Sequence, residues 1–334
     1  MFSHDVRTTY ISHDVHTFNS DHGVAKDKSD GGMNCSSYPQ AVSRKVCEGL
    51  DHGIAGASAL ARCNNVSLQA IDVGLSDRPT QYKWSNKVVH SSDSKLDGGT
   101  KNFCRGSAMS KEEVERLILV GRKETTKVID EHKVDMMLFG EVGIGNTTTS
   151  SALIAALTGV DVQLLCGTGA STTRDGIDDD VIAKKISIIK EAMNYHKASS
   201  LLGKPLKALE AVGGAEICAM VGGMLESSEC NVPILVDGFI TTTAAMIASM
   251  IDSSVTRTLL FATQSTEKGQ AIALNVIKDI ALSNNYPAPT QPALYMSLRM
   301  GEATGALLAL PLCRSACAIV SELASLTEVL EIEM

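Results

Sequence analysis

The stretch Val134-Asp-Met-Met-Leu-Phe-Gly-Glu-Val-Gly-Ile-Gly-Asn-Thr-Thr148 decides the fold. Val134–Phe139 is a short apolar run that reads as a buried strand, and the glycines after it let the chain turn tightly into a helix over 147–157. The loop nearly satisfies the spacing of a phosphate-binding P-loop, running from Gly140 to Gly145 and then Thr147, but Asn146 stands where the lysine belongs. Free N–H groups at the start of the following helix suit an anion. Without the lysine, a single phosphate fits better than a nucleoside triphosphate. Taken alone, the loop reads first as a plain glycine-rich turn in which Asn and Thr cap a helix.

The same pattern recurs on either side. Val15–Phe18, Val66–Val73 and Val232–Val236 are further short runs, each ending in a glycine-containing turn and followed by helical periodicity. That alternation predicts an α/β fold with a parallel sheet flanked by helices. Acids sit at four of the strand ends: Asp21, Asp72, Glu141 and Asp237. In open parallel sheets ligands bind outside the carboxyl ends of the strands, so these acids, with Glu302, are expected around a cleft. Apolar residues at three- and four-residue spacing predict helices over 111–127, 181–198 and 301–326, while 76–101 and 283–291 read as polar surface loops.

Two further stretches carry chemistry. After Asp237-Gly238, Thr241, Thr242 and Thr243 open a helix and could cap it or meet a ligand, while Gly213 and Gly214 permit close backbone approach. Glu302, flanked by Gly301 and Gly305 and followed by an apolar run, is expected at a helix start where desolvation raises a carboxyl toward the range of a general base. It reads equally as a capping acid.

Composition excludes several classes. The 334 residues carry a net charge of -8 with 4% aromatics, so both the basic field and the stacking platforms of a nucleic-acid binder are missing. Nine scattered cysteines without a C-x-x-C pair predict buried, reduced thiols, including Cys313 and Cys317 at helical spacing, and hence a cytoplasmic protein. No apolar run is read as long enough for a membrane span, and Met1–Tyr10 lacks a signal pattern. His4, His13, His16 and His22 match no zinc spacing, and the first three are expected in a loosely held terminal segment. No metal site is predicted, and no nucleophile elbow occurs.

Taken in order, the motifs resemble the nicotinate-nucleotide:dimethylbenzimidazole phosphoribosyltransferase family of cobalamin biosynthesis. The matching segments are Asp21-His-Gly-Val24, Ser37-Tyr-Pro-Gln40, Ile71-Asp-Val-Gly74, Gly140–Thr148, Ile177-Asp-Asp179 with Ala183-Lys-Lys-Ile186, Val212-Gly-Gly214, Asp237-Gly-Phe-Ile240 and Gly301-Glu-Ala-Thr-Gly-Ala306.

The resemblance implies a homodimeric enzyme with a Rossmann-like core over residues 15–300. Segments 1–14 and 301–334 would contribute to a smaller helical domain. The implied reaction moves the phosphoribosyl group of nicotinate mononucleotide to a benzimidazole-type base, with inversion at the anomeric carbon and without metal or cofactor. By the same resemblance Glu302 is the general base. Glu141, Gly143, Gly145, Asn146, Thr147, Lys185, Gly213, Gly214, Asp237 and Ser265 face the nucleotide, and Ser37, Gln40, Leu298 and Met300 the acceptor base. Extra residues near Ala170–Arg174 blur the register at Lys185.

Three departures accompany the resemblance. The family's Lys-Pro-Pro-Gly-Ser-Leu-Gly motif is absent, an insertion lies between Gln270 and Gly301, and Gln264 and Gln270 stand where the family has histidines. They leave a second reading open, a nucleotide-binding homologue of the same fold with impaired turnover.

Overall fold

The computed structural model describes residues 13–76, 88–90, 96–167, 169, 179–288 and 290–331. The strands are β1 (His13–Ser20), β2 (Ser67–Gly74), β3 (Val88–His90), β4 (Met136–Val142), β5 (Ile234–Val236) and β6 (Leu259–Phe261). Between β1 and β4 lie the helices α1 (Ala41–His52), α2 (Gly56–Cys63) and α3 (Lys111–His132). The next five are α4 (Asn146–Thr158), α5 (Asp179–Tyr195), α6 (Pro205–Val212), α7 (Ala215–Glu229) and α8 (Phe239–Ile251). The last three are α9 (Gly269–Ser283), α10 (Thr304–Glu322) and α11 (Leu326–Leu330).

All strand pairs are parallel, in the order β3-β2-β1-β4-β5-β6. The chain winds outward from β1 in one direction, then restarts at β4 and winds out in the other. The connections therefore diverge between β1 and β4, and the crevice at their carboxyl ends is the place such sheets offer a ligand. The β4 loop Gly140–Gly145 lies there.

Alternate residues of β4 feed opposite faces. Met137 and Phe139 enter a large core shared with α3, α4, α7 and α8, whereas Met136, Leu138 and Val142 join a smaller one with Leu50 of α1, Ala57 of α2 and Leu307 of α10. Helix α4 is buried on every side but for its Thr147 and Thr158 positions, which explains why its sequence shows no amphipathic stripe. In α3 a capping box fixes the start, with Ser110 Oγ accepting the Glu113 N–H at 3.2 Å and the Glu113 carboxylate accepting the Ser110 N–H at 2.6 Å.

Four sequence expectations are corrected. His13 and His16 do not lie in a loose terminus: they belong to central strand β1 and are buried, and the His16 ring packs edge-on against Phe18 and Phe139 at 6.0 and 6.4 Å. Burial pushes the His16 pKa down to about 3, so its imidazole is neutral. The 76–101 segment contains edge strand β3, and β6 has no counterpart among the expected strands; three residues are too few to show a period.

All nine cysteines are free, but Cys63, Cys230 and Cys317 are exposed and Cys313 is only half-buried, the last two because α10 leaves the core after Leu310. Finally, α10 is long and apolar enough to cross a membrane by length and composition, though its first two turns are locked into the protein. Met1–Tyr10, His4 and Ala170–Arg174 lie outside the described residues.

Where α10 begins, the segment Gly301–Ala303 crosses β4 at Gly140. A Cβ at Gly140 would stand 2.3 Å from the Ala303 nitrogen and 2.6 Å from the Glu302 carbonyl carbon, both backbone atoms that cannot step aside alone. Overpacking of this kind costs about 1–3 kcal/mol. Gly140→Ala is expected to lower the thermal midpoint by about 2–10 °C in a circular-dichroism melt. An unchanged midpoint would mean that the crossing is looser than described.

Candidate active site

A cavity of about 280 Å³ opens at the carboxyl ends of β4 and β5. Its walls come from the β4–α4 loop, the start of α8, the Thr263–Glu267 turn, the segment Leu298–Gly305, and Cys35–Val46 on the rim.

The anion end is built around α4. Gly145 is its N-cap at φ 102°, a conformation suited to glycine, and presents no side chain that could close the helix end. Lys185 of α5 is buried here, and its ammonium donates to Thr147 Oγ1 at 2.9 Å and to the Gly167 carbonyl at 3.1 Å. A helix N-terminus and a buried ammonium on the same residue, Thr147, form a compact positive locus.

The acid end is built around α10. Asp237, fully buried, accepts the Ala306 N–H at 2.9 Å and also the N–H groups of Gly305 and Ala303. It caps α10 from across the fold. Burial outweighs those hydrogen bonds and pushes its carboxyl up to about 7. Just before the helix, Glu302 and Ala303 adopt left-handed φ of 62° and 68°, and the Glu302 N–H reaches the Glu141 carbonyl at 3.2 Å.

The Glu302 carboxylate lines the cavity, and Oε2 accepts the Ala57 N–H of α2 at 3.4 Å. Burial raises its pKa, partly opposed by that bond. Glu141 is raised well above the usual carboxyl range by burial and by the neighbouring Glu216 and Asp237 charges, against the hydrogen bond donated by Asn146. Acids this crowded cannot all be ionised near neutrality, and protons are held among them.

Of the expected site residues, Glu141, Gly143, Gly145, Asn146, Thr147, Lys185, Asp237, Ser265, Leu298, Met300 and Glu302 all line this one cavity. Ser37 and Gln40 do not line it. Neighbouring Ser36 and Tyr38 occupy the rim, while the Gln40 amide donates to the His22 carbonyl at 3.0 Å. Gly213 and Gly214 are likewise off the wall: a Cβ on Gly214 would meet His22 and Glu216, whose Nε2–Oε1 contact is 2.9 Å.

Asp21 and Asp72 also stand apart from the cavity wall. Asp21 accepts from Ser76, and Asp72 accepts the Gly74 and Leu75 N–H groups, so both close turns. Sequence reasoning missed Glu267 and Arg299, which line the cavity. Arg299 lies between Leu298 and Met300, both expected to face the acceptor base. Among the described residues no group of His, Cys, Asp and Glu could hold a metal ion.

Fold and site together define a Rossmann-like α/β enzyme whose switch-point cleft pairs a phosphate-type helix terminus with a cluster of proton-holding acids. The chain belongs to the DBI_PRT phosphoribosyltransferase family, whose sequence model matches residues 3–329.

A nicotinate-nucleotide–dimethylbenzimidazole phosphoribosyltransferase from Xanthomonas axonopodis pv. citri is 32% identical over 295 residues, 88% of this chain and 77% of the relative. The enzyme of the same name from Pseudomonas putida KT2440 is 33% identical over 293 residues, 88% of this chain and 76% of its own. A crystal structure of the Thermus thermophilus enzyme superposes with a TM-score of 0.79 at 28% identity, covering 97% of this chain and 86% of that one.

The Asp237 carboxyl makes stability depend on pH. Its pKa is higher in the folded protein, about 7, than the unfolded value of 3.8. Its contribution is therefore full below about pH 4 and is lost as pH rises through about 7. Between pH 5 and 8 the wild type should lose more stability in urea unfolding than Asp237→Asn does. Parallel losses would show that Asp237 is ionised throughout.

Proposed function

We propose that the protein transfers the 5-phosphoribosyl group of nicotinate mononucleotide to 5,6-dimethylbenzimidazole, giving α-ribazole 5′-phosphate and nicotinate. The observation that carries this reading is the position of Glu302: a carboxyl raised by burial, fixed in a left-handed turn on the wall of a cavity whose other end is the α4 N-terminus with Lys185. The relatives described above bear the name of this activity.

One ring nitrogen of the acceptor attacks the anomeric carbon as the bond from that carbon to the nicotinate nitrogen breaks, and the bonding pair leaves with nicotinate. The proton on the acceptor's second nitrogen passes to Glu302, whose raised pKa brings it closer to a ring of near-neutral basicity. The α4 terminus and Lys185 take the 5′-phosphate, a monophosphate that this single locus can neutralise. Glu141 and Asp237 flank the carbon where positive charge develops. Leu298 and Met300, with Tyr38, supply the apolar contact for the flat acceptor. No metal or cofactor is called for in this scheme.

The reading includes a homodimer in the cytoplasm. Val320 near the end of α10, Leu323 just after it and Leu330 of α11 are exposed, an apolar surface that a second subunit would cover, and light scattering should give twice 35.4 kDa.

Incubation with both substrates should yield α-ribazole 5′-phosphate; binding of nicotinate mononucleotide without product would favour the impaired homologue. Glu302→Gln should keep the fold and nucleotide affinity while turnover falls by ~10²-fold or more. Because the base must be unprotonated to act, the wild-type rate should fall on acidification, with a midpoint above the usual glutamate value of 4.5. Undiminished turnover in the variant would remove Glu302 from the base role.

A further inference from the structure

Glu267 is a buried carboxylate on the cavity wall, and its two oxygens are both engaged by backbone. Oε2 accepts the Gly167 N–H at 2.9 Å and Oε1 the Gly169 N–H at 2.6 Å. The carbonyl of the same Gly167 accepts from the Lys185 ammonium at 3.1 Å. That ammonium in turn donates to Thr147 Oγ1 in the first turn of α4. A continuous chain of contacts therefore runs from the start of α9 to the start of α4, through Glu267, Gly167, Lys185 and Thr147.

Both glycines are shaped by these contacts. A Cβ on Gly167 would stand 2.6 Å from the Glu267 Oε1, and one on Gly169, at φ +68°, would meet the Lys185 Nζ at 3.1 Å and Thr147 Oγ1 at 3.3 Å.

Glu267 is itself held rigidly. Its N–H donates to Ser265 Oγ at 3.1 Å, its carbonyl accepts from the Gln270 N–H at 3.2 Å, and the Gln270 side chain ties the turn together. Gln270 Oε1 accepts the Ser265 N–H at 2.6 Å, while Nε2 donates to the Thr263 carbonyl at 3.0 Å and Thr242 Oγ1 at 3.2 Å. A carboxylate whose oxygens are spent on backbone, and whose own turn is fixed on every side, is placed to fix something else.

We infer that Glu267 is a positioning residue for the phosphate end of the site. By clamping Gly167 and Gly169 it aims the Lys185 ammonium at the α4 N-terminus. The inference rests on the reading of that locus as the 5′-phosphate site. Glutamine is the informative replacement, since it keeps the shape but turns an amide donor toward one of the two N–H groups. The clamp then opens on one side.

Calorimetric titration of nicotinate mononucleotide into the full chain tests this, with inorganic phosphate as a second probe. Glu267→Gln should raise the nucleotide Kd about tenfold or more. Glu267→Asp should restore part of the loss. In a Lys185→Ala background the same Glu267→Gln change should have less than about threefold effect, because the group it positions is gone. A purely structural role would instead act equally in both backgrounds.

Should Glu267→Gln fold poorly, Gly167→Ala perturbs the same clamp from the backbone side and should weaken binding likewise. Independent, additive losses from Glu267→Gln and Lys185→Ala would overturn the inference while leaving the phosphate reading intact. If Lys185→Ala alone weakens neither nucleotide nor phosphate, the phosphate reading fails and the inference falls with it.

Discussion

The site depends on one buried carboxylate, Asp237, serving as the cap of a helix that begins 67 residues later at Thr304. The two residues before that helix are in left-handed conformations, which cost about 1–3 kcal/mol each for residues other than glycine. Such a turn persists only where its surroundings over-determine it. Here three N–H groups converge on Asp237, Glu302 is tied to the Glu141 backbone, and Gly140 leaves room for the crossing. Those contacts hold the turn from several sides, although at the Asp237 carboxyl itself burial outweighs the hydrogen bonds. The strain sits beside the cavity, where Glu302 in its left-handed turn presents its carboxyl to the wall.

That arrangement also divides the sheet. On the β1–β2 side of the switch point, one oxygen of Asp21 accepts from Ser76 and one of Asp72 accepts the Gly74 and Leu75 N–H groups. On the β4–β5 side, Glu141 and Asp237 keep theirs close to the cavity. Between the halves His22 contacts Glu216 and Thr149 and packs against Gly143, so the phosphate-type loop lies on a buried polar network. Acids at strand ends are common to both halves, and only the long-range partners tell them apart.

This is why the sequence is legible in part. β1, β2, β4 and β5 announce themselves by β-branched or apolar runs before glycine turns, and Glu302 by its flanking Gly301 and Gly305. The edge strands Val88–His90 and Leu259–Phe261 are too short to carry a period, and the polar start of β1 disguises a fully buried strand as a tail. What a residue is bonded to across 69 positions, as Asp237 is to Ala306, or across 100, as Glu267 is to Gly167, leaves no local trace. Lys185 could be placed only by resemblance, because a lysine on an amphipathic helix is ordinarily solvated.

The departures from the family pattern can be weighed on the same footing. Gln264 is exposed and its backbone N–H pairs with the Leu294 carbonyl, so the replacement there alters a surface position whose main-chain bond is independent of the side chain. Gln270 is the opposite case: buried, with three of its four amide bonding positions satisfied. An imidazole at that position has two ring nitrogens, which could not serve all three partners at once. The glutamine holds the Thr263–Glu267 turn with a group that does not titrate. The replacement therefore preserves the wall that Ser265 and Glu267 form, and it gives no physical reason to expect the cavity to bind a nucleotide without transforming it.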